Sequence, residues 1–321
     1  MFRYLLASVL AAYSCVSAAA DPIASYPNRP VRLVIPLAPG GGSDILARLL
    51  AQKISERLKQ SVIPDNRAAI DGVVGTEIVA KSAPDGYTVL FVSSSHANNA
   101  AIGHKLPYDT IKDFAPLTQT ANQQVVLVVN PSLPVKSVKE LIEYSKSKPG
   151  GLNFGSSSNA TQLPMELFNS MTGLKMVHIP YKGASPLLID LLGGRVELSF
   201  APAVATRPYV VAGKLRALAI GDIKRSVALP DIPTAAEAGV PGYQATIWSG
   251  LLMPAKTPTA IVERMSKTLI AIVREPSFKQ WATENASDPV GSTPDEFGKF
   301  IQAEIVKWSR IAKQAGVKAT D

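Results

Sequence analysis

Apolar stretches that suit strands alternate along the chain with stretches whose apolar residues repeat at helical spacing. RPVRLVIPLA, from Arg29, predicts a buried strand, and DILARLLAQKISERL, from Asp44, predicts an amphipathic helix. The predicted apolar face of that helix consists of Ile45, Leu46, Leu49, Leu50, Ile54 and Leu58. SVIPDN and YTVLFV predict two further strands, with a helix near 74–81 between them. This alternation indicates a parallel sheet with crossover helices.

The second part of the chain repeats the alternation. VVLVVN predicts a strand, and SVKELIEYSKS predicts a helix that is capped by Ser137 with Glu140 three residues later. Further strands are predicted at LNFGSS, KMVHIPYK, VELSFA and LRALAIG, and helices at TQLPMELFNSMTG, ASPLLIDLLGG and RPYVVAGK. The tail, 258–316, is predicted to be helical. Its last helix carries an apolar stripe that we interpret as core contact: Phe297, Phe300, Ile301, Ile305 and Trp308.

The first twenty residues have the pattern of a secretory signal peptide. Arg3 is followed by an apolar run and then by small residues that end at Ala20, so we predict cleavage after Ala20 and export. The apolar run is too short to span a bilayer, which needs about 20 residues. The single cysteine, Cys15, lies inside this segment, so the mature chain is expected to have no disulfide and no Cys ligand or nucleophile. The alternative, acylation of Cys15 as in a lipoprotein, is disfavoured because Ala12 stands where a branched aliphatic residue is needed.

Size and charge narrow the functional classes. A mature chain of about 300 residues with 46% hydrophobic content suggests two lobes, because single cores stop growing at roughly 250 to 300 residues. The formal net charge of +8 becomes +7 without Arg3. Lys and Arg are scattered and do not interleave with aromatic residues, so nucleic-acid binding is not indicated. A mildly positive exported protein favours anionic small molecules.

Three glycines, Gly40 to Gly42, lie in the segment LAPGGGSD between a predicted strand and a predicted helix. Consecutive N–H groups at a helix start carry partial positive charge and suit a carboxylate or another oxyanion. A nucleotide loop is excluded, because no Walker lysine follows and Ile45 stands where a dinucleotide loop needs its third Gly. The alternative is a tight turn capped by Ser43 or Asp44 without a ligand, and the loop alone does not separate the two.

Two more predicted strand ends are polar and rich in serine. NFGSSSNATQLP places Ser156 to Asn159 between a strand and a helix, and FVSSSHANN presents Ser93 to His96. Their hydroxyls and amides suit a carboxylate, although N-capping alone also accounts for either loop. Ligands in open α/β sheets bind at the carboxyl ends of strands, so three such ends over two lobes favour a shared cleft.

The sequence shows no enzymatic constellation. The three histidines, His96, His104 and His178, form no H-E-x-x-H or H-x-x-E-H pair, so a zinc hydrolase is not indicated. GSSSN resembles a nucleophile elbow, but Asn159 replaces its second Gly. His178 is predicted to lie in a strand as a core or cleft-wall residue. We therefore expect no catalytic residue, no metal site and no cofactor.

Several long segments are similar to one known family. They are YPNRPVRLVIPLAPGGGSDILAR, PDGYTVLFVSSS, LPYDTIKDFAPL, NPSLPVKSVKELIEYSKSKPGGLNFGS, HIPYKGASPLLIDLLGGRVELSF, GKLRALAIGDIKRSVALPDIPTAAEAGVPGY and TPDEFGKFIQAEIVKWSRIAKQAG. Together they resemble the Bug family, the periplasmic receptors of tripartite tricarboxylate transporters, over essentially the whole mature chain.

The resemblance implies a two-lobed α/β periplasmic-binding-protein fold, type II-like, with a ligand cleft between the lobes. It implies 21–121 with 246–321 as the first lobe, and 122–245 as the second. The expected partners are a small carboxylate and the large and small membrane subunits of a transporter, and the expected protein is a periplasmic monomer. A ligand-presenting sensor for a membrane kinase remains an alternative, as does a hydrolase, whose nucleophile, base and orienting acid we cannot assemble.

In that family the PGGG loop and the facing second-lobe loops hold a ligand carboxylate largely through backbone amides and ordered water. The corresponding first-lobe candidates here are Pro39, Gly40, Gly41, Gly42, Ser43, Asp44, Ser93, Ser94 and His96. The second-lobe candidates are Ser156, Ser157, Ser158, Asn159, Thr161, Tyr181, Gly183, Ala184 and Ser185. Substituting Gly41 or Gly42 by Val is expected to weaken binding and leave the fold intact.

The presence of an acidic residue at one position and its absence at another bear on the ligand's chemistry. The charge of Asp44 would repel an anion, so we expect this residue to cap the helix and fix the loop. Members resembling amino-acid binders often carry an Asp after the strand VELSF, where this chain has the uncharged run Phe200 to Ala203. This departure predicts a mono- or dicarboxylate without an amino group, aromatic ones included, with Phe200 and Pro202 as an apolar wall.

Overall fold

The computed structural model describes residues 25–148 and 150–317. The predicted signal peptide and Cys15 lie outside the described residues. The strands are β1 (Val31–Ile35), β2 (Val62–Asn66), β3 (Thr88–Ser93), β4 (Phe114–Val129), β5 (Asn153–Ser156), β6 (Val177–Pro180), β7 (Leu198–Pro202), β8 (Arg216–Ile220), β9 (Thr246–Pro254) and β10 (Ser287–Pro289). The helices are α1 (Gly42–Leu58), α2 (Val73–Ala80), α3 (Ser95–Ala101), α4 (Val138–Ser147), α5 (Asn159–Thr172), α6 (Ala184–Leu192), α7 (Ala203–Val211), α8 (Thr259–Val273), α9 (Pro276–Glu284) and α10 (Pro294–Ala315).

The described strands form one ten-stranded mixed sheet in the order β2-β1-β3-β9-β4-β7-β5-β6, with β8 and β10 also paired to β4. The pairs of β1 with β2 and β3, and of β5 with β6 and β7, are parallel as predicted. The prediction of a parallel sheet is wrong in the middle of the sheet, where β4 and β9 pair antiparallel with their neighbours. The sequence pattern showed only the apolar second half of β4 and missed β9.

Strand β4 belongs to both parts of the sheet. Its residues up to Gln124 pair with β9 and β10, whereas Val125–Val129 pair with β7 and β8. We call the part around β1–β3 and β9 the first lobe, and the part around β5–β8 the second lobe. The lobe boundaries given by the resemblance stay a prediction.

Each lobe has its own apolar core. In the first lobe, α1 buries Leu46, Ala47, Leu50, Ala51 and Ile54, while Ile45 is 38% exposed. The predicted apolar face of α1 was therefore wrong at Ile45, and Ala47 and Ala51 are buried against the core instead. In the second lobe, an aromatic cluster fills the core: Phe154, Phe168, Phe200 and Tyr243.

Helix α10 confirms the predicted core stripe. Phe297, Ile301 and Trp308 are buried. Phe300 and Ile305 are partly buried and pack against the core. Trp308 belongs to the core cluster of the second lobe, and Phe297 packs on Trp248 at a ring distance of 5.6 Å. The helix thereby links the two lobes. Within the described residues, none of the helices combines the length and apolar character required to cross a bilayer.

Candidate functional site

The glycine loop connects β1 to α1, and Asp44 fixes its shape. The side chain of Asp44 accepts hydrogen bonds from the Gly40 N–H and from Arg48 Nε, both at 3.0 Å, and from Asn66 Nδ2 at 2.9 Å. Burial alone raises the pKa of this carboxyl, but the three hydrogen bonds hold it below its usual value. Loop fixing is thus confirmed, whereas capping is not: Gly41 is the N-cap residue, and no side chain caps the helix.

The serine-rich loop of the second lobe is organised by Thr161. Its Oγ1 accepts hydrogen bonds from the backbone N–H groups of Ser157 and Ser158, at 3.0 and 3.3 Å. The N–H of Asn159 donates to Asp71 Oδ1 at 2.7 Å. Three successive amides of this loop are therefore satisfied within the protein.

A small cavity of about 50 Å³ lies between the lobes at these loops. It is lined by the start of α1 (Gly41, Gly42, Ser43, Asp44), the start of α5 (Ser157, Ser158, Ala160, Thr161), the start of α6 (Gly183, Ala184), and Leu37, Ala38, Ser93, Pro202 and Ile247. The first N–H groups of a helix have no intrahelical acceptor and carry partial positive charge. Three helix N-termini therefore converge on a space that suits a carboxylate head group or a few waters.

A larger cavity of about 540 Å³ adjoins the small one, and the two share Leu37, Ala38, Ser157, Ser158 and Gly183. Its other walls are Ala68, Ala69, Asp71, Ser156, Asn159, Gln162, His178, Pro180, Tyr181 and Lys182. This volume is typical of a small-molecule site. The two cavities together fit a ligand that has one compact anionic end and a larger remainder.

Loops of the two lobes touch beside the small cavity. Ser185 Oγ donates to the carbonyl oxygen of Pro39 at 3.2 Å. A Cβ atom on Gly42 would lie 2.5 Å from Val204 Cγ1, and one on Gly183 would lie 2.6 Å from Ala38 Cβ. Real Cβ atoms do not approach so closely, so glycine at both positions allows the two lobes to meet.

Sequence reasoning missed Asp71, which lines the large cavity. It lies in a short 3-10 turn, Ile70–Gly72, with the left-handed backbone angles φ 52° and ψ 19°. Besides accepting the Asn159 N–H, its carboxylate stands 3.7 Å from His104 Nε2. Burial raises the pKa of Asp71, against the opposing effects of Asn159 and His104. A non-glycine residue at positive φ is uncommon, and only the fold shows that Asp71 adopts this conformation.

Most of the predicted site residues lie at a cavity wall: Gly41, Gly42, Ser43, Asp44, Ser93, Ser156, Ser157, Ser158, Asn159, Thr161, Tyr181, Gly183, Ala184 and Pro202. Pro39, Gly40 and Ser185 instead form the contact between the loops of the two lobes. Ser94 is buried beneath the site, where its Oγ accepts a hydrogen bond from the backbone N–H of Trp248 at 2.9 Å.

Two predicted cleft residues belong to the core. His96 is 4% exposed, packs against Tyr108 and Phe114, and has its Nε2 3.0 Å from the carbonyl oxygen of Thr110. Burial lowers the pKa of His96 to about 4. Phe200 is fully buried and stacks on Tyr243, because successive side chains of β7 point to opposite faces. The predicted apolar wall therefore keeps Pro202 and loses Phe200.

Among the described residues, no group of three or more His, Cys, Asp or Glu side chains is placed to hold a metal ion.

The two lobes and the cavities between them define a class, the periplasmic solute-binding proteins. Residues 46–317 match the family described as "Tripartite tricarboxylate transporter family receptor" (TctC), and the chain belongs to this family. Protein BugT of Bordetella pertussis is 34% identical to it over 319 residues, which cover 98% of each chain. The sequence-based recognition of the Bug family is therefore confirmed.

Solved structures agree with the predicted two-lobed fold. "R. palustris Rpa4515 with adipate" has a TM-score of 0.89 and 38% identity, and covers 91% of this chain and 99% of that chain. Periplasmic binding protein BugD has a TM-score of 0.87 and 29% identity, over 92% and 100% of the chains. MatC from Rhodopseudomonas palustris with bound malate has a TM-score of 0.84 and 28% identity, over 89% and 99%. The protein is thus a solute-binding receptor of the periplasm, and its family and fold are not those of an enzyme.

Proposed function

We propose that this receptor captures a small organic carboxylate between its lobes and delivers it to the membrane subunits of a tripartite tricarboxylate transporter. The observation that carries the proposal is the convergence of α1, α5 and α6, by their N-termini, on the small cavity. Partial positive charge at these helix ends favours a carboxylate even where no cationic side chain is present, and it is least compensated at α1 and α6, which have no side-chain cap. Similar proteins hold adipate and malate, which are small dicarboxylates.

We assign the first carboxylate of the ligand to the small cavity. Its oxygens would accept hydrogen bonds from the early N–H groups of α1 and α6, at Gly42, Ser43 and Ala184. The serine loop would contribute the Ser157 hydroxyl, since its amide is held by Thr161. The remainder of the ligand would occupy the large cavity.

The same geometry supports a ligand without an amino group beside this carboxylate. Asp44 is the carboxylate that lines the small cavity, and hydrogen bonds from Gly40, Arg48 and Asn66 already hold its oxygens. An ammonium group there would lose water without gaining a free anionic partner. Pro202, which also lines the small cavity, carries no charge that could pair with an ammonium.

Thermal-shift and calorimetric titration of residues 21–321 with a carboxylate panel tests the proposal. A ligand at 100 times its Kd should add roughly 2.7 kcal/mol to the free energy of unfolding. Hexanoate and 2-aminohexanoate form a matched pair, and we expect hexanoate to bind more tightly. No stabilisation by any carboxylate would contradict the carboxylate site. Binding of 2-aminohexanoate with no binding of hexanoate would contradict the absence of an amino group.

Delivery to a transporter needs a separate measurement. Vesicles that carry the large and small membrane subunits should accumulate the ligand only when the loaded receptor is added. Ligand binding without receptor-dependent uptake would limit the proposal to capture. Mass spectrometry of the exported protein tests cleavage after Ala20, and sedimentation tests the expected monomer.

A further inference from the structure

The large cavity has an uneven distribution of charge. The Asp71 side chain, only 13% exposed, brings a carboxylate to its wall. Lys182 lines the same cavity but is exposed to solvent, where its field is screened. Burial lowers the pKa of His178, whose Nε2 lies 2.7 Å from Ser156 Oγ. The best-buried charge that the remainder of a ligand would meet is therefore negative.

Asp71 is held firmly but keeps room for another donor. Its backbone carbonyl oxygen accepts from Asn99 Nδ2 at 3.0 Å, and its Oδ1 accepts the Asn159 N–H. His104 Nε2, 3.7 Å away, is beyond hydrogen-bond distance. Since a carboxylate has about four acceptor sites, Asp71 can accept further hydrogen bonds from the cavity side.

We propose that Asp71 selects the far end of the ligand, accepting a hydrogen bond from an uncharged donor such as a hydroxyl and disfavouring a second carboxylate. The inference rests on the proposed function, which assigns the first carboxylate to the small cavity. A second carboxylate beside Asp71 would bring two like charges together in a poorly screened space. A distal ammonium would have to give up its hydration in this space, a cost that can exceed its attraction to a single carboxylate, so an uncharged donor is the best match.

The variant Asp71→Asn removes the negative charge of the side chain and keeps its size and shape. Asn tolerates the left-handed backbone, and its side-chain oxygen can still accept the Asn159 N–H, so the turn and the contact between lobes are retained. The matched control is Asp231→Asn, which removes the same charge from an exposed position outside both cavities.

The test measures the Kd values of hexanoate, 6-hydroxyhexanoate, 6-aminohexanoate and adipate, which share a six-carbon chain, at pH 7.5. The wild type should bind 6-hydroxyhexanoate at least tenfold more tightly than adipate. In D71N this ratio should fall by about tenfold, equivalent to about 1.4 kcal/mol, and in D231N it should stay unchanged. 4-Hydroxybenzoate and terephthalate repeat the comparison on a rigid ring.

Several outcomes would overturn the inference alone. Wild-type binding of adipate as tight as that of 6-hydroxyhexanoate is one, and it does not depend on any variant folding. An unchanged ratio in D71N is another, and tighter binding of 6-aminohexanoate than of 6-hydroxyhexanoate is a third. If the wild type binds none of these carboxylates, the proposed function fails, and the role of Asp71 fails with it.

Discussion

At the scale of single residues, neighbours decide what an acidic side chain contributes. Asp44 and Asp71 both line a cavity between the lobes. Arg48 and Asn66 hold the pKa of Asp44 below its usual value, whereas burial raises that of Asp71. Neighbouring donors therefore stabilise the charge of Asp44, whereas burial works against the charge of Asp71 despite the Asn159 N–H and His104.

His96 gives a prediction for stability against pH. Its pKa is about 4 in the folded protein and 6.5 for an exposed ring, so the unfolded chain binds more protons between these values. Stability contributed by the neutral ring is present above pH 6.5 and is lost as the pH falls toward 4, by about 3 kcal/mol.

Urea unfolding between pH 7 and 4 measures this loss, and His96→Gln, which keeps a donor near Thr110, should flatten the profile. The proton resonances of the His96 ring provide a readout independent of stability. A titration midpoint between 6 and 7 would show that the ring is not buried as described.

At the scale of helices, N-terminal capping differs between α4 and α10 on one side and α1 and α6, at the small cavity, on the other. Helices α4 and α10 are capped by their own side chains, Ser137 and Thr293, and the predicted Ser137 and Glu140 pair is confirmed. Helices α1 and α6 begin after Gly41 and Gly183 with no side-chain cap. Their first N–H groups are therefore available to a ligand.

Thr161→Val and Thr293→Val form a matched pair of hydroxyl deletions at two helix starts. Thr161 Oγ1 fixes the amides of Ser157 and Ser158 at both cavities, so its loss should weaken carboxylate binding about tenfold. Thr293 caps α10 away from the cavities, so its loss should cost about 1 kcal/mol of unfolding free energy without changing affinity. Calorimetry and urea unfolding measure the two effects. Equal losses of affinity in both variants would contradict a specific role for Thr161.

At the scale of the whole molecule, close backbone approach brings the lobes together around the small cavity. The start of α1 approaches the second lobe through Gly42, which lies against Val204 and Pro202, and the start of α6 approaches the first lobe through Gly183, which lies against Ala38. Strand β4 and helix α10 belong to both lobes and keep them in one framework.

Gly42→Val should keep the lobes apart. A Cβ atom there lies 2.5 Å from Val204 Cγ1 and 3.1 Å from Pro202 Cβ, so the added side chain would clash with the opposite lobe. We expect at least tenfold weaker carboxylate binding, little change in the free energy of unfolding, and loss of ligand-induced compaction in small-angle X-ray scattering. Adding Val204→Ala should restore part of the affinity, because it removes the clashing methyl groups. Wild-type affinity in Gly42→Val would mean that the loop is only a turn.

Local sequence patterns predicted much of the fold, but they missed the first half of β4 and all of β9 in the centre of the sheet. Most of the helices, although not α3, the Ser137 cap and the apolar stripe of α10 follow from spacing that neighbouring residues define among themselves. The first half of β4 was missed because many of its buried side chains are polar: Thr118, Gln119, Thr120, Gln123 and Gln124 are all at most 4% exposed. No local pattern distinguishes such side chains from those of a surface loop.

The residues of the candidate site likewise divide into those that the sequence indicates and those whose place depends on tertiary contacts. Gly40 to Gly42 and Ser156 to Asn159 were predicted because unusual composition at a strand end is visible in the sequence. Asp71, His96 and Phe200 were not predicted correctly, because their roles depend on which partner or core each side chain meets.

The sequence by itself determined much of the alternation of strands and helices, the glycine and serine loops, and, through the resemblance of long segments to known members, the receptor family. Helix periodicity, capping and glycine's freedom are local properties, so they can be recognised from neighbouring residues alone. Only the tertiary structure decided the antiparallel centre of the sheet, the convergence of three helix N-termini and the place of Asp71 in the cavity. Those features join residues far apart in the chain, and their energies depend on burial and on distances that exist only after folding.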